Sequence, residues 1–213
     1  MNPTMKPADI EKNSFAIITK ELGGRTFPEG QEDIIKRVIH TSADFDYADN
    51  LVFSPDVVQK ATEALRQGAT IVTDTNMALA GINKTVLGKF GGQAVCFMAE
   101  KQVADEAKKR GITRAAVSME YAAKLEGAVI FAIGNAPTAL IRLHEMAAAR
   151  EISPVLVIGV PVGFVNVVES KELFIGGDIP YIIARGRKGG SNIAAAIVNA
   201  LLYQIYAREG FEK

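Results

Sequence analysis

Five short apolar runs in the last two thirds of the chain restrict its fold most strongly. Each run is rich in β-branched residues and almost continuously apolar, as strands buried on both faces are. Helical periodicity in the stretches between and after these runs predicts a five-stranded parallel sheet with helices on both faces. The runs span residues 69–73, 94–98, 128–133, 155–160 and 181–184, and the helical stretches span 100–110, 113–126, 135–150, 166–174 and 190–208.

The first third of the chain is predicted to be mainly helical. A helix over 6–22 is expected to end at two glycines, and a second helix over 28–40 begins with a proline. Ser54 is predicted to be the N-cap of a third helix over 55–67, because a proline follows it at the first helical position. Residues 44–53 are acidic and aromatic and fit neither the helical nor the strand period, so no element is predicted there.

Composition excludes several classes of protein. The 213 residues include 24 basic and 24 acidic side chains, which argues against general nucleic-acid binding because that depends on neutralising phosphates. A single cysteine excludes an intrachain disulfide and a cysteine-based metal centre. No apolar run approaches the ~20 residues that span a bilayer, and the N-terminus lacks a signal-peptide core. We expect one soluble, cytoplasmic α/β domain over residues 1–213.

A candidate ligand site lies at the carboxyl edge of the predicted sheet, where ligands bind in parallel α/β folds. Glycines and small polar residues in these loops precede two predicted helices, whose N-terminal amide groups favour anions. Arg185, Arg187 and Lys188 add positive charge to the same edge, so we expect a ligand with several negative groups. The loops that follow the strands span 74–77, 134–138, 161–164 and 185–192.

These loops also allow simpler interpretations. Gly134 and Asn135 form either an anion site or only a strand-to-helix turn with an asparagine cap. Asp74 is expected to be a cap or a substrate contact rather than a metal ligand, because no further ligand residue lies at a suitable spacing. The chain contains neither glycine pattern of the nucleotide-binding loops, so a nucleotide-dependent enzyme is disfavoured.

Two histidines are available for proton transfer near neutral pH. His144 lies within a predicted helix, where surface or core packing is the expected role. His40 ends an amphipathic helix and precedes Thr41, Ser42 and the acidic segment. Its position alone leaves a helix-terminal role and a catalytic role equally open. No nucleophile-elbow pattern supports a Ser–His–Asp arrangement.

Blocks along nearly the whole chain resemble the precorrin-8X methylmutase family of corrin biosynthesis. The combination of AIGNAPTAL with GVPVGFV and ESK is specific to that family, and residues 44–49 are more similar to its anaerobic, cobalt-substrate branch than to its aerobic branch. The matching blocks are IEKNSFAII at 10–18, VIH at 38–40, VFSPD at 52–56, AIGNAPTAL at 132–140, GVPVGFV at 159–165, ESK at 169–171 and RGRKGGS at 185–191.

The resemblance implies an isomerase that moves a methyl group from C-11 to C-12 of a tetrapyrrole ring. It further implies a homodimer with a flavodoxin-like three-layer α/β/α fold that uses no cofactor and no protein-bound metal. The family's catalytic histidine corresponds to His40, its substrate-contacting serine to Ser14 and its arginine to Arg114. A substrate-facing loop of the family corresponds to residues 81–87, where Asn83 and Lys84 replace the Thr-Arg of the aerobic branch.

The chemistry of such a substrate agrees with the charge at the predicted sheet edge. Its acetate and propionate groups need cationic and amide partners, whereas a methyl shift needs no hydride carrier. A non-catalytic tetrapyrrole carrier is the alternative; it requires the same cations but no titratable group beside the ring. The residues expected to bind substrate are Ser14, Asn83, Lys84, Arg114, Asn135, Arg185, Arg187 and Lys188.

Overall fold

A single mixed sheet positions the loops that carry the candidate residues. The computed structural model describes residues 7–210, which form six strands and eleven helices. The strands are β1 (Leu51–Phe53), β2 (Thr70–Thr73), β3 (Gln93–Val95), β4 (Val129–Ile133), β5 (Leu156–Gly159) and β6 (Tyr181–Ala184). The helices are α1 (Pro7–Glu21), α2 (Gln31–Ser42), α3 (Tyr47–Asn50), α4 (Val57–Arg66), α5 (Asn76–Gly81), α6 (Lys84–Lys89), α7 (Lys101–Arg110), α8 (Arg114–Ala122), α9 (Pro137–Ala148), α10 (Val167–Glu172) and α11 (Ser191–Arg208). The first of these matches the helix predicted over 6–22, of which residue 6 lies outside the described residues.

The sheet has six strands rather than the predicted five, in the order β1-β6-β5-β4-β2-β3. The pairs β3–β2, β2–β4, β4–β5 and β5–β6 are parallel. The additional strand, β1, pairs antiparallel with β6 at the edge, with Leu51 opposite Ala184. Because β1 has only three residues, two of them half-buried, its pattern was too short to stand out within residues 44–53. Pairing with β6 satisfies its backbone groups.

The two faces of the sheet carry separate apolar layers. In β4, Ile130 and Ala132 belong to one layer, while Phe131 and Ile133 belong to the other, as alternation along a strand requires. Helices α2, α4 and α11 contribute side chains to the first layer, and α8 and α9 contribute to the second. Burial on both faces explains why the strands are almost continuously apolar in the sequence.

Two predicted helix starts differ from the structure. The second predicted helix begins later, after Gly30, whose φ is 78°. A Cβ at that position would lie 2.8 Å from the side chain of Val58, so both the conformation and the space favour glycine. The predicted N-cap role of Ser54 is wrong: its hydroxyl accepts a hydrogen bond from the backbone N–H of Tyr181 at 3.0 Å, and α4 begins at Val57.

The connection from β2 to β3 contains two helices that were not predicted, α5 and α6. Each has six residues, which is too short to display an apolar period. Their N-caps are Thr75 and Asn83, whose side-chain oxygens accept hydrogen bonds from Ala78 and Val86. Among the described residues, no helix is both long enough and apolar enough to cross a membrane.

Candidate active site

His40 lies in the last turn of α2 and contacts α1. Its Nδ1 is 2.8 Å from the hydroxyl of Ser14, and its ring stacks on Phe15 with 5.3 Å between centroids. The structure therefore brings together the two residues, 26 positions apart, to which the resemblance assigned catalysis and substrate contact. The engaged Nδ1 fixes the orientation of the ring and leaves Nε2, on an exposed side chain, for proton exchange with a ligand.

Arg37 supports this pair and was not identified from the sequence. Its guanidinium lies 5.2 Å from the centre of Phe15 and 4.6 Å from that of Tyr203 on α11, and it forms a 3.0 Å ion pair with Glu11. One cation thus connects α1, α2 and α11 around His40. The available signal was helical spacing, since Arg37 precedes His40 by three residues and shares its side of α2.

Asn83 is connected to the same cluster, but its side chain already has structural partners. Its Oδ1 caps α6 by accepting from the N–H of Val86 at 3.1 Å, and its Nδ2 donates to the hydroxyl of Tyr203 at 3.1 Å. Because Tyr203 also contacts Arg37, Asn83 lies near the side of the molecule that carries His40. Lys84, the next residue, is exposed.

The amide groups that precede α9 do not form an open anion site. The buried carboxylate of Asp74 accepts hydrogen bonds from the backbone N–H groups of Gly134, Asn135 and Ala136 at 2.9, 2.8 and 2.6 Å. Burial raises the pKa of the Asp74 carboxyl, and these three hydrogen bonds oppose part of the rise. Of the two interpretations left open for Gly134 and Asn135, the anion site is therefore wrong, because the protein supplies the anion itself. The asparagine cap is not formed either, since α9 has no side-chain cap at its N-terminus. Only the exposed side chain of Asn135 remains available to a ligand.

Two of the three predicted cations after β6 have carboxylate partners within the protein. Lys188 Nζ lies 2.6 Å from the carboxylates of both Asp44 and Asp46, which raises the pKa of Lys188 and lowers that of Asp44. Arg185 lies 3.5 Å from Glu172. The edge is consequently less positive than its sequence indicated. The contacts of Lys188 nevertheless join this loop to the segment that follows His40.

Lys171 on α10 is a further residue that sequence reasoning missed. Its side chain is fully buried, and Nζ donates hydrogen bonds to the carbonyl oxygens of Gly186 and Lys188 at 2.8 and 2.9 Å. Burial lowers the pKa of Lys171 to about 8. It belongs to the ESK block, yet no periodic signal distinguished it from an exposed lysine.

Arg114 is held near the loop after β4 through its neighbour. Thr113 caps α8 by accepting from the N–H of Ala116, and its hydroxyl donates to Thr138 at 2.8 Å. Arg114, the first residue of α8, is exposed and makes no hydrogen bond or ion pair with any residue that the structure describes. A free guanidinium beside a strand-end loop is suited to a bidentate contact with a carboxylate.

The two histidines have different surroundings. His144 packs edge-on against Phe174 with 5.7 Å between ring centroids, which confirms the packing role expected for it. Only His40 lies in a cluster of polar and aromatic side chains from two helices. Within residues 7–210, no group of three or more His, Cys, Asp or Glu side chains is placed to hold a metal ion.

Comparison with known proteins identifies a consistent set of relatives. The family model described as precorrin-8X methylmutase matches residues 9–204. A cobalt-precorrin-8 methylmutase of Salmonella typhimurium is 47% identical over 96% of this chain and 99% of its own length. A precorrin-8X methylmutase of Pseudomonas aeruginosa is 42% identical, covering 90% of this chain and 93% of the relative. The crystal structure of precorrin-8X methylmutase from Thermus thermophilus aligns with a TM-score of 0.84 and 36% identity, over 94% of this chain and 98% of that one.

Proposed function

The chain belongs to the precorrin-8X methylmutase family, and we propose that His40 carries out the proton transfer in its reaction. The protein is an isomerase of cobalamin biosynthesis that catalyses migration of a methyl group from C-11 to C-12 of its tetrapyrrole substrate. The bond from the methyl group to C-11 breaks as the bond to C-12 forms, so no atom is gained or lost. The protein must therefore hold the ring in a reactive geometry. It must also transfer one proton to the ring, which assists the redistribution of electrons as the methyl group moves.

The hydrogen bond between Ser14 and His40 is the observation that supports this proposal best. When the serine hydroxyl donates to Nδ1, the neutral imidazole carries its proton on Nε2. His40 then donates this proton to the macrocycle as the methyl group migrates and recovers it afterwards, which leaves the protein unchanged. Stacking on Phe15 restricts rotation of the imidazole, so its orientation is set before substrate binds.

Substrate carboxylates are proposed to bind the cations at the carboxyl edge of the sheet. Arg114 and Arg187 are the principal candidates, because neither has a carboxylate partner among the described residues. Arg185 and Lys188 already pair with acidic side chains. Each would contact a substrate carboxylate either in addition to its acidic partner or in place of it. The exposed side chains of Lys84 and Asn135 provide further polar contacts. Ser14 and Asn83 are proposed to contact substrate from the His40 side.

We propose cobalt-precorrin-8 rather than its metal-free form as the substrate. Residues 44–49 resemble the anaerobic branch, and the relative from Salmonella typhimurium is a cobalt-precorrin-8 methylmutase. Cobalt would arrive within the substrate, as its central ion. The metal-free form is the competing substrate, because the relative from Pseudomonas aeruginosa is a precorrin-8X methylmutase.

A cytoplasmic homodimer of single-domain, flavodoxin-like chains is proposed as the working form. The strands that pair in parallel follow the order β3-β2-β4-β5-β6, which corresponds to the doubly wound order 2-1-3-4-5. On α1, Ile10 and Ile17 are 54% and 57% exposed on the side that carries Ser14, and a second copy covering them would exclude water from His40. The mass in solution should be twice 22.8 kDa. A fully active monomer would contradict this arrangement.

The proposed activity is tested by supplying purified protein with cobalt-precorrin-8 and, separately, with the metal-free substrate. Methyl migration changes the conjugation of the ring, so the absorption spectrum follows conversion directly. We expect catalytic turnover, faster with the cobalt-containing form. Stoichiometric binding without turnover would instead identify a tetrapyrrole carrier.

A further inference from the structure

The loop after β5 exposes three apolar side chains at the carboxyl edge of the sheet. Phe164 is 82% exposed, Val165 77% and Val162 50%. Single exposed apolar residues are common on protein surfaces, but a contiguous group marks a surface that contacts a ligand or a partner. Residues 162–165 are referred to below as the apolar loop.

The backbone at the apolar loop has an unusual conformation and a fixed partner. Gly163 has a φ of 147° and Asn166 a φ of 57°, both in the region that L side chains rarely adopt. The N–H of Gly163 donates to the carbonyl oxygen of Arg187 at 3.2 Å. This bond ties the apolar loop to residues 185–192 after β6, which carry Arg185, Arg187 and Lys188 and are referred to below as the cationic loop. The hydrogen bond therefore holds the apolar loop beside the loop that carries Arg187.

Arg187 lies against the ring of Phe164. Its guanidinium carbon is 5.4 Å from the ring centroid, within the range of a cation–π contact. In the part of the chain that the structure describes, Arg187 forms no ion pair, whereas Arg185 and Lys188 on the same loop each do. The pair thus combines an aromatic surface that is mostly open with a cation that lacks an acidic partner.

We propose that Phe164 and Arg187 form one binding unit for the substrate, in which the phenyl ring packs on the macrocycle and the guanidinium pairs with a peripheral carboxylate. This inference rests on the proposed function. A conjugated tetrapyrrole has an apolar face and an acidic periphery, so it matches both halves of the unit. A second copy of the chain would bury the apolar loop but would also have to supply Arg187 with an acid.

The position of this unit agrees with the position of His40. The loop that holds Arg187 continues into Lys188, which contacts Asp44 and Asp46 in the segment after α2. The apolar loop and the segment that follows α2 therefore both contact the cationic loop. The cationic loop thus connects the segment that carries Phe164 with the segment that directly follows the helix of His40.

Titration of the cobyrinate-type product, followed by its absorption, tests the unit without catalysis. Replacing Phe164→Ala or Arg187→Ala should raise the product Kd about tenfold in each case, as loss of an aromatic or charge-assisted contact does. In the double variant, the product Kd should rise by less than the two single increases multiplied together, because each residue supports the contact made by the other. Phe164→Tyr should retain wild-type affinity. Leu173→Ala, which alters another exposed apolar residue at the end of α10, is the matched control and should not change Kd.

Two results would overturn the inference. One is a product Kd for Phe164→Ala that stays within about twofold of wild type, well below the effect of a lost aromatic contact. The other is a lower mass in solution for the variants that bind product more weakly. The loss of affinity would then follow from dissociation, and the apolar loop would be a contact between copies of the chain. Conversion by the wild-type protein is measured in parallel. Failure of that conversion contradicts the proposed function, whereas an unaffected Phe164→Ala variant beside an active wild type contradicts only the binding unit.

Discussion

Lys171 Nζ lies 2.9 Å from the carbonyl oxygen of Lys188, so a fully buried lysine holds the backbone of an exposed one. Lys171 Nζ also donates a hydrogen bond to the carbonyl oxygen of Gly186, and the two bonds anchor the cationic loop to α10. Within the described residues, no carboxylate pairs with Lys171. Burial of an unpaired ammonium opposes folding, but a neutral amine still has two N–H groups for the two carbonyls.

The stability of the protein should therefore depend on the protonation of Lys171. Burial lowers its folded pKa to about 8 from 10.5, so between these values the unfolded chain binds more protons than the folded protein. Stability then rises with pH across this window, by roughly 3 kcal/mol for this group, and the penalty is fully present below pH 8. Urea unfolding of the wild type and of Lys171→Met at several pH values measures the difference in slope.

A matched control separates this effect from the titration of other lysines. Lys60→Met replaces an exposed lysine and should keep the wild-type pH dependence. Lys171→Met should lose the additional rise in the free energy of unfolding above pH 8. Identical slopes for Lys171→Met and the wild type would show that the buried amine does not titrate in this window.

Asp74 is expected to stabilise the fold rather than to contact substrate. Its carboxylate accepts three backbone N–H groups at the start of α9, and Asp74→Asn would place an amide donor against them. We expect the free energy of unfolding to fall by about 2–4 kcal/mol, as for buried charge-assisted hydrogen bonds. Chemical denaturation measures this, with the exposed Asp178→Asn as the control. An unchanged midpoint would show that the three amide groups find other partners.

The parallel strands could be predicted from the sequence because strands buried on both faces consist almost entirely of apolar residues. β4 illustrates this, since all five of its residues are buried and apolar. β1 could not be predicted in the same way, because its three residues are held at the edge by pairing with β6, more than 100 positions later. A local period carries no information on such a pairing.

The candidate site shows the same division between local and distant contacts. The glycine turn at 134–135 has the composition of an anion site, but its acceptor, Asp74, is 60 positions away, and the sequence cannot show that the site is filled. Lys188 was interpreted as a free cation for the same reason, since Asp44 lies 144 positions before it. Ser14 and His40 were assigned individually through the resemblance, and the hydrogen bond between them became visible only in the fold.

Arg114 should contribute to substrate affinity more than to the chemical step. It is exposed and unpaired within the described residues, so its replacement disrupts no internal contact. Arg114→Ala should raise the product Kd about tenfold, and Arg114→Lys should do so less, since it keeps the charge but loses the planar fork. Absorption titration measures both. Arg208→Ala, at the far end of α11, is the control, and product binding by Arg114→Ala equal to that of wild type would remove Arg114 from the site.

Ser14→Ala should weaken catalysis without abolishing it. The change removes one hydrogen bond to Nδ1 of His40 but leaves the imidazole stacked on Phe15. If this hydrogen bond stabilises the transition state by about 1 kcal/mol, its loss should lower the single-turnover rate roughly fivefold. Thr19→Ala, which removes another hydroxyl of α1 that bonds only to a backbone carbonyl, should leave the rate unchanged. A rate loss as large as that of a His40 variant would indicate that Ser14 itself takes part in proton transfer.

His40→Ala is the decisive variant for the mechanism. A positioned general acid contributes about 10²–10⁴-fold to a rate, so single-turnover conversion should fall by that factor. Product binding should persist, because Arg114 and Arg187 lie on other elements than α2. If His40 acted only at the helix end, its loss would cost about 1 kcal/mol of stability and leave conversion nearly normal. A folded variant that converts substrate within about threefold of the wild-type rate would thus exclude His40 from proton transfer.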